Sequence, residues 1–166
     1  MIFTTKAEYG VRLLVELGRQ AEDAPVSLKA IAEAEGLPLA YLERIVALLK
    51  KAGLVESTRG AHGGYRLSRP PGEITMDEAV FALEGAITPM SCFVDDRQGE
   101  GVLCSHLEDE SHQACATRLL WMRVQGGVTG ALQRTTLQEL VEFGAPRPAD
   151  GAPEPAGAPL PLHSAA

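Results

Sequence analysis

The stretch from Ser27 to Leu67 constrains this chain more than any other. Ser27 is a good N-cap, and Leu28, Ile31 and Ala32 follow at helical spacing until Gly36, a residue suited to end a helix. Leu37 and Pro38 restart the chain, with proline at an early helical position. Leu42, Ile45, Val46 and Leu49 then predict a helix running to about Ala52 and stopped by Gly53. Two short helices joined around Gly36 form a helix-turn-helix pattern, but so does any small helical bundle. The residues that follow decide between them. Leu54 to Ser57 reads as a strand, Thr58 to Gly64 as a turn and Tyr65 to Leu67 as a return strand, ended by Pro70 and Pro71. A hairpin with a Gly-rich, basic tip directly after a helix-turn-helix makes a winged helix.

The flanks read as helices of the same kind. Thr4 or Thr5 can cap a first helix to about Arg19, with Tyr9, Leu13, Leu14 and Leu17 as its apolar stripe. Thr75 and Glu78 form a capping-box signature for a fourth helix ending near Glu84, with Ala79, Val80 and Leu83 on its apolar face. After Cys115, ATRLLWMRVQGGVTGALQ predicts a long helix carrying Leu119, Leu120, Met122 and Val124 on one broad side. Gly126 and Gly127 weaken it, at about 1 kcal/mol each against Ala, and could also let two helices approach closely. Thr135 and Thr136 cap a last helical turn, LQELVEF, ended by Gly144. The stripe is too large for a peripheral helix of a small domain, so it reads as a dimer contact, with an intramolecular core helix as the alternative. From Ala145 the Pro/Ala/Gly-rich tail cannot bury a core and is expected to be disordered. The expected architecture is mainly α. A winged helix-turn-helix domain with a small β-hairpin wing spans 1–84 and a cysteine-bearing loop spans 85–115. Dimerisation helices follow over 116–143, then a tail over 144–166.

Charge is divided along the chain. The 166 residues carry a net −7, yet residues 1–70 hold ten Lys/Arg against eight Asp/Glu, or +2, and residues 71–166 hold five Arg against fourteen acids, or −9. For phosphate binding the local patch matters, and Lys50, Lys51, Arg59, Arg66 and Arg69 form one basic run in the first half. In a winged helix the N-terminal residues of the second helix of the motif lie nearest the base edges. Here those are Leu39, Ala40, Tyr41, Glu43 and Arg44. Tyr41 can reach phosphate or a thymine methyl, Glu43 can accept from cytosine N4, and Arg44 can donate to guanine or phosphate. Arg59 at the wing tip suits the negative potential of a narrow minor groove. The plainer alternatives are a solvated helix face for Glu43 and Arg44 and packing against the first helix for Tyr41. No run of about 18 apolar residues and no basic-then-apolar leader is present, so no membrane association and a cytoplasmic location are expected.

Cys92, Cys104 and Cys115 are the three cysteines, and all lie in one acidic, Gly- and Ser-rich stretch that also holds His106 and His112. In a cytoplasmic chain an odd number of crowded cysteines favours metal or redox chemistry over structural disulfides. An iron–sulfur cluster takes thiolates at wide spacings when a loop wraps it, and Cys115 stands where the following helix dipole would favour its thiolate. Zinc held by three Cys and one His is an alternative, although the usual close Cys-x-x-Cys pair is missing. A metal-free thiol–disulfide switch is another. A Cys–His nucleophile pair could be drawn with either histidine, but no oxyanion or substrate feature accompanies it, and no enzyme is expected.

Taken together, TTKAEYGVRLL, LPLAYLERIVALLKKAGLV, STRGAHGGYRLSRPP and the segment from CATRLLW to TTLQELV resemble the IscR/NsrR-type bacterial regulators of the Rrf-two family, over roughly residues 1–143. The resemblance implies a homodimeric winged-helix transcription factor, most simply a repressor. Its affinity for a double-stranded DNA operator would change with the state of an iron–sulfur cluster and so report iron–sulfur status, redox state or nitric oxide. It implies Cys92, Cys104 and Cys115 as cluster ligands. IscR places a histidine ligand three residues after its last cysteine. Arg118 stands at that position here and cannot ligate. NsrR-like relatives instead take a carboxylate near the N-terminus of the partner subunit, and the matching residue is Glu8. The resemblance therefore implies [4Fe-4S] in preference to [2Fe-2S], with Glu8 as the fourth ligand and His106 and His112 as local alternatives. A further branch uses a histidine where this chain has Arg12.

Overall fold

The computed structural model describes residues 3–20, 24–60, 63–85 and 116–145. Cys92, Cys104, Cys115, His106, His112 and the tail beyond residue 145 lie outside the described residues.

Helix α1 spans Thr5–Gly18 and is capped by Thr4, whose hydroxyl accepts the Lys6 N–H at 3.2 Å. Its Leu13, Leu14 and Leu17 are buried, each contributing about 1.5–3 kcal/mol by removal from water. Helix α2, Leu28–Glu35, starts at Ser27, whose hydroxyl accepts the Ala30 N–H at 3.1 Å. It ends at Gly36 with φ of 63°, a left-handed conformation that costs a side-chain-bearing residue more than glycine. Helix α3, Leu39–Lys51, begins one residue after Pro38, which is its N-cap rather than its first turn. Leu42, Ile45, Val46 and Leu49 point from α3 into the core formed with Leu13, Leu14 and Ile31.

Strands β1, Val55–Thr58, and β2, Gly64–Leu67, pair antiparallel as the wing, with Ser57 opposite Tyr65 and Glu56 opposite Arg66. Val26 pairs with the hairpin as a single bridge on the outer edge of β2: its N–H donates to Tyr65 O at 2.9 Å and its carbonyl accepts the Tyr65 N–H at 2.8 Å. That approach is possible because position 64 is glycine; a Cβ there would run into the Val26 backbone. The wing is thus fastened to the start of α2.

A short 3-10 turn, Pro71–Glu73, leads into α4, Met76–Glu84. Helix α5, Ala116–Arg134, runs unbroken through Gly126 and Gly127, and α6, Leu137–Phe143, follows. The stretch 116–143 divides between two roles. In α6, Leu137 is fully buried in the core with α1, and its N–H donates to Ile74 O at 2.9 Å. The caps Thr75 and Thr136 pair as an antiparallel bridge, locking the starts of α4 and α6 together. In α5, by contrast, Leu119 and Leu120 are each 56% exposed and Met122 52%, so these residues do not join the core of a single chain.

Candidate nucleic-acid interface and the position of Glu8

The helix-turn-helix holds its geometry from the α1 side. Arg12 Nε donates to Glu35 Oε2 at 2.7 Å, and its Nη2 donates to the Glu35 carbonyl at 2.6 Å. One guanidinium therefore satisfies both the carboxylate and an orphan carbonyl at the C-terminus of α2. Tyr9, three residues earlier on α1, meets Tyr41 in the first turn of α3 edge-on, with centroids 5.7 Å apart and rings at 89°. Tyr9 and Arg12 thus grip the two helices on either side of the Gly36 turn. Tyr41 is half-buried by this contact, so the packing role foreseen as its alternative is present whatever its hydroxyl touches.

Glu43 and Arg44 are exposed on the outer face of α3, beside the exposed Ala40 and Ala47. Arg59 is exposed at the wing tip. None of these three charged side chains forms an ion pair with another described residue, whereas others of the basic run do. Arg66 Nη2 lies 2.6 Å from Glu56, its partner across the hairpin, and Arg69 Nη2 lies 2.6 Å from Glu78. Lys50 Nζ donates to Ser57 Oγ at 2.7 Å and sits 5.9 Å from the Tyr65 ring centroid. The basic run is thus not one phosphate-binding strip. Lys50, Arg66 and Arg69 are engaged within the fold, whereas Lys51 and Arg59 have no ion-pair partner among the described residues.

Glu8 is exposed in the first turn of α1, and it has no ion-pair partner among the described residues. Arg12, one helical turn on, is committed to Glu35 instead. A second carboxylate organises the same end of α1. Glu84, the last residue of α4, accepts the Thr4 hydroxyl and the Ala7 N–H, the latter at 3.1 Å, with Lys6 Nζ at 3.9 Å. The start of α1 is therefore tied to the residue from which the cysteine-bearing segment departs. Among the described residues no group of three or more His, Cys, Asp or Glu side chains converges to hold a metal ion. No described helix is long and apolar enough to cross a membrane.

Reasoning from sequence missed Arg12, Lys50 and Glu84. Arg12 carried no local signal, because Glu35 lies 23 residues away. Glu84 is 80 residues from Thr4. Lys50 was visible only as one basic residue among several.

A three-helix unit with a β-hairpin wing and an exposed, charged outer face on α3 defines a winged-helix DNA-binding transcriptional regulator. The chain belongs to the Rrf2 family, described as iron-dependent transcriptional regulators, whose profile matches residues 3–143. It is 38% identical over 143 residues to the regulator CymR of Bacillus subtilis, covering 86% of this chain and 91% of that protein. The solved structure of that relative, described as the global cysteine regulator, superposes with a TM-score of 0.70 at 34% identity over 87% of this chain and 99% of its own. The regulator IscR of Photorhabdus laumondii is 33% identical over 141 residues, 85% of this chain and 79% of that one. The structure of T. potens IscR superposes with a TM-score of 0.67 at 32% identity, over 87% of this chain and 89% of its own.

Proposed function

We propose that this regulator acts as a homodimeric repressor on a double-stranded operator, with its affinity set by an iron–sulfur cluster held by Cys92, Cys104, Cys115 and Glu8. The observation that carries the operator half is the set of exposed Glu43, Arg44 and Arg59, none of them ion-paired with a described residue and each on an element that can enter a groove. The exposed Leu119, Leu120 and Met122 of α5 support pairing of two copies along that helix. Nothing described lies within 4 Å of where a Cβ would stand at Gly126 or Gly127, so packing against the described residues does not account for glycine there.

The donor chemistry fits the cluster. Three thiols and a carboxylate with no competing described ion pair form a set that iron accepts, and Glu8 meets that condition because Arg12 is engaged by Glu35. The preference for [4Fe-4S] over [2Fe-2S] follows from the resemblance, with Arg118 standing in place of a histidine. Bound there, the cluster would supply a group whose charge and occupancy respond to iron supply and oxidants. The chain's own part is to connect that site to the DNA-reading helices. Glu8 shares α1 with Tyr9 and Arg12, which hold α3 and α2 respectively.

Protein purified without oxygen should be brown, absorb in the visible by charge transfer, and contain iron and acid-labile sulfide. Glu8→Ala should alter that spectrum while leaving the far-ultraviolet circular dichroism unchanged. Colourless protein with stoichiometric zinc overturns the cluster reading, and an identical Glu8→Ala spectrum clears Glu8 and directs attention to His106 and His112. The likeness to a protein described as a cysteine regulator favours one second reading, a thiol–disulfide switch without metal. Colourless, metal-free protein whose thiol count falls on mild oxidation would support it.

A further inference from the structure

We infer that Lys50 is a positioning residue for DNA binding: it braces the wing against α3 and acts on DNA through Arg59 instead of touching phosphate. The inference rests on the DNA-binding reading above. Lys50 lies in the last turn of α3, and its amine reaches the hairpin. There it donates to Ser57 Oγ of β1 at 2.7 Å and stands 5.9 Å from the ring centroid of Tyr65 on β2. Ser57 and Tyr65 face each other in the ladder, so one ammonium group engages both strands at a single rung. Only the Thr58–Gly64 rung separates that point from the tip that bears Arg59.

The same rung is held from its other edge. Val26 makes two backbone hydrogen bonds to Tyr65 and fixes β2 to the start of α2. That leaves β1 to be fixed relative to α3. The backbone supplies the turn at Gly53, where φ is 73°, and Lys50 supplies the side-chain tie beyond it. A lysine has a flexible four-carbon stem and could extend to solvent as a phosphate ligand. Here it is folded back, and reaching a phosphate would require it to leave both the hydroxyl and the ring. The angle between α3 and the wing decides whether Arg59 meets a minor groove while Glu43 and Arg44 occupy the adjacent major groove. A tie that sets this angle changes affinity without contributing a phosphate contact.

The two roles differ in salt dependence. A lost phosphate contact lowers the slope of log K against log salt by about 0.9 and weakens all sequences alike. A lost brace removes no phosphate cation of its own, so it leaves the slope unchanged once Arg59 is replaced by Ala. The probe is a duplex enriched by the wild-type protein from a randomised library. Lys50→Met and Ser57→Ala should each weaken binding about fivefold, the worth of one net hydrogen bond, and the double variant should be no worse than either. In an Arg59→Ala background Lys50→Met should have no further effect. Lys50→Arg keeps the charge but not the geometry, and should not restore affinity. Unchanged circular dichroism confirms that the exposed substitutions leave the fold intact. A slope reduced by about one unit with recovery in Lys50→Arg makes Lys50 a phosphate ligand and overturns the inference. A full Lys50→Met effect without Arg59 does the same. If the wild-type protein enriches no duplex, the DNA-binding reading itself fails.

Discussion

Glu78 shows what a single side chain does in this fold. Burial pushes its carboxyl up, but the Thr75 backbone N–H, the Arg69 guanidinium and the Thr75 hydroxyl together outweigh that, so its pKa lies below the ordinary 4.5. The N–H and the hydroxyl are each 3.1 Å from Oε2 and the guanidinium 2.6 Å. A carboxyl depressed in the folded state contributes stability above its unfolded pKa, and that contribution is lost as pH falls through the folded value. Glu78→Gln keeps a capping-box acceptor but removes the titration. Thermal melts of this variant should therefore depend less on pH below about 4.5 than those of the wild type, with the two proteins differing most near neutrality. Parallel pH profiles would reject the assignment. The capping box was legible, because its two residues are three apart. The ion pair with Arg69 was not, because the two lie nine positions apart with a 3-10 turn between them.

Among the elements, α5 and α6 part company although they are adjacent in sequence. Both carry apolar stripes, and periodicity treats them alike. Core closure separates them: α6 has α1 and the Ile74 segment to cover it, and Leu137 is fully buried. The N-terminal half of α5 has no such cover among the described residues, and Leu119 and Met122 are more than half exposed. A second copy of α5 would bury them, each contributing about 1.5–3 kcal/mol. Leu119→Glu combined with Met122→Glu should raise the dimer dissociation constant at least about a hundredfold by sedimentation equilibrium. The melting of the winged-helix unit should change little, because neither residue belongs to its core. A variant that still sediments as a wild-type dimer would remove α5 from the interface.

For the whole molecule, the charge division set out along the chain becomes a division of surface roles. A net −7 does not oppose DNA binding when Arg44 and Arg59 stand exposed on α3 and at the wing tip and most acids lie elsewhere in the chain. Operator affinity should fall steeply with salt and should differ between cluster-bearing and metal-free protein, as measured by fluorescence anisotropy on the same duplex. Equal affinities in the two states would reject control by the cluster while leaving the DNA-binding reading in place.

Local patterns determined the helices, the cap at Ser27, the left-handed Gly36 and the hairpin, and narrowed two further caps to Thr4 or Thr5 and Thr135 or Thr136, because each depends on residues only a few positions apart. They also located the charged positions Glu43, Arg44 and Arg59 and marked the three cysteines by their chemistry. Only the tertiary structure decided which cations are committed to holding the fold, which half of the C-terminal stretch is core, and how Glu8 relates to α2 and α3. Those outcomes depend on partners such as Arg12 with Glu35, Glu84 with Thr4 and Leu137 with the α1 core. No short-range pattern encodes such pairs, because chain folding, not sequence spacing, brings them within reach.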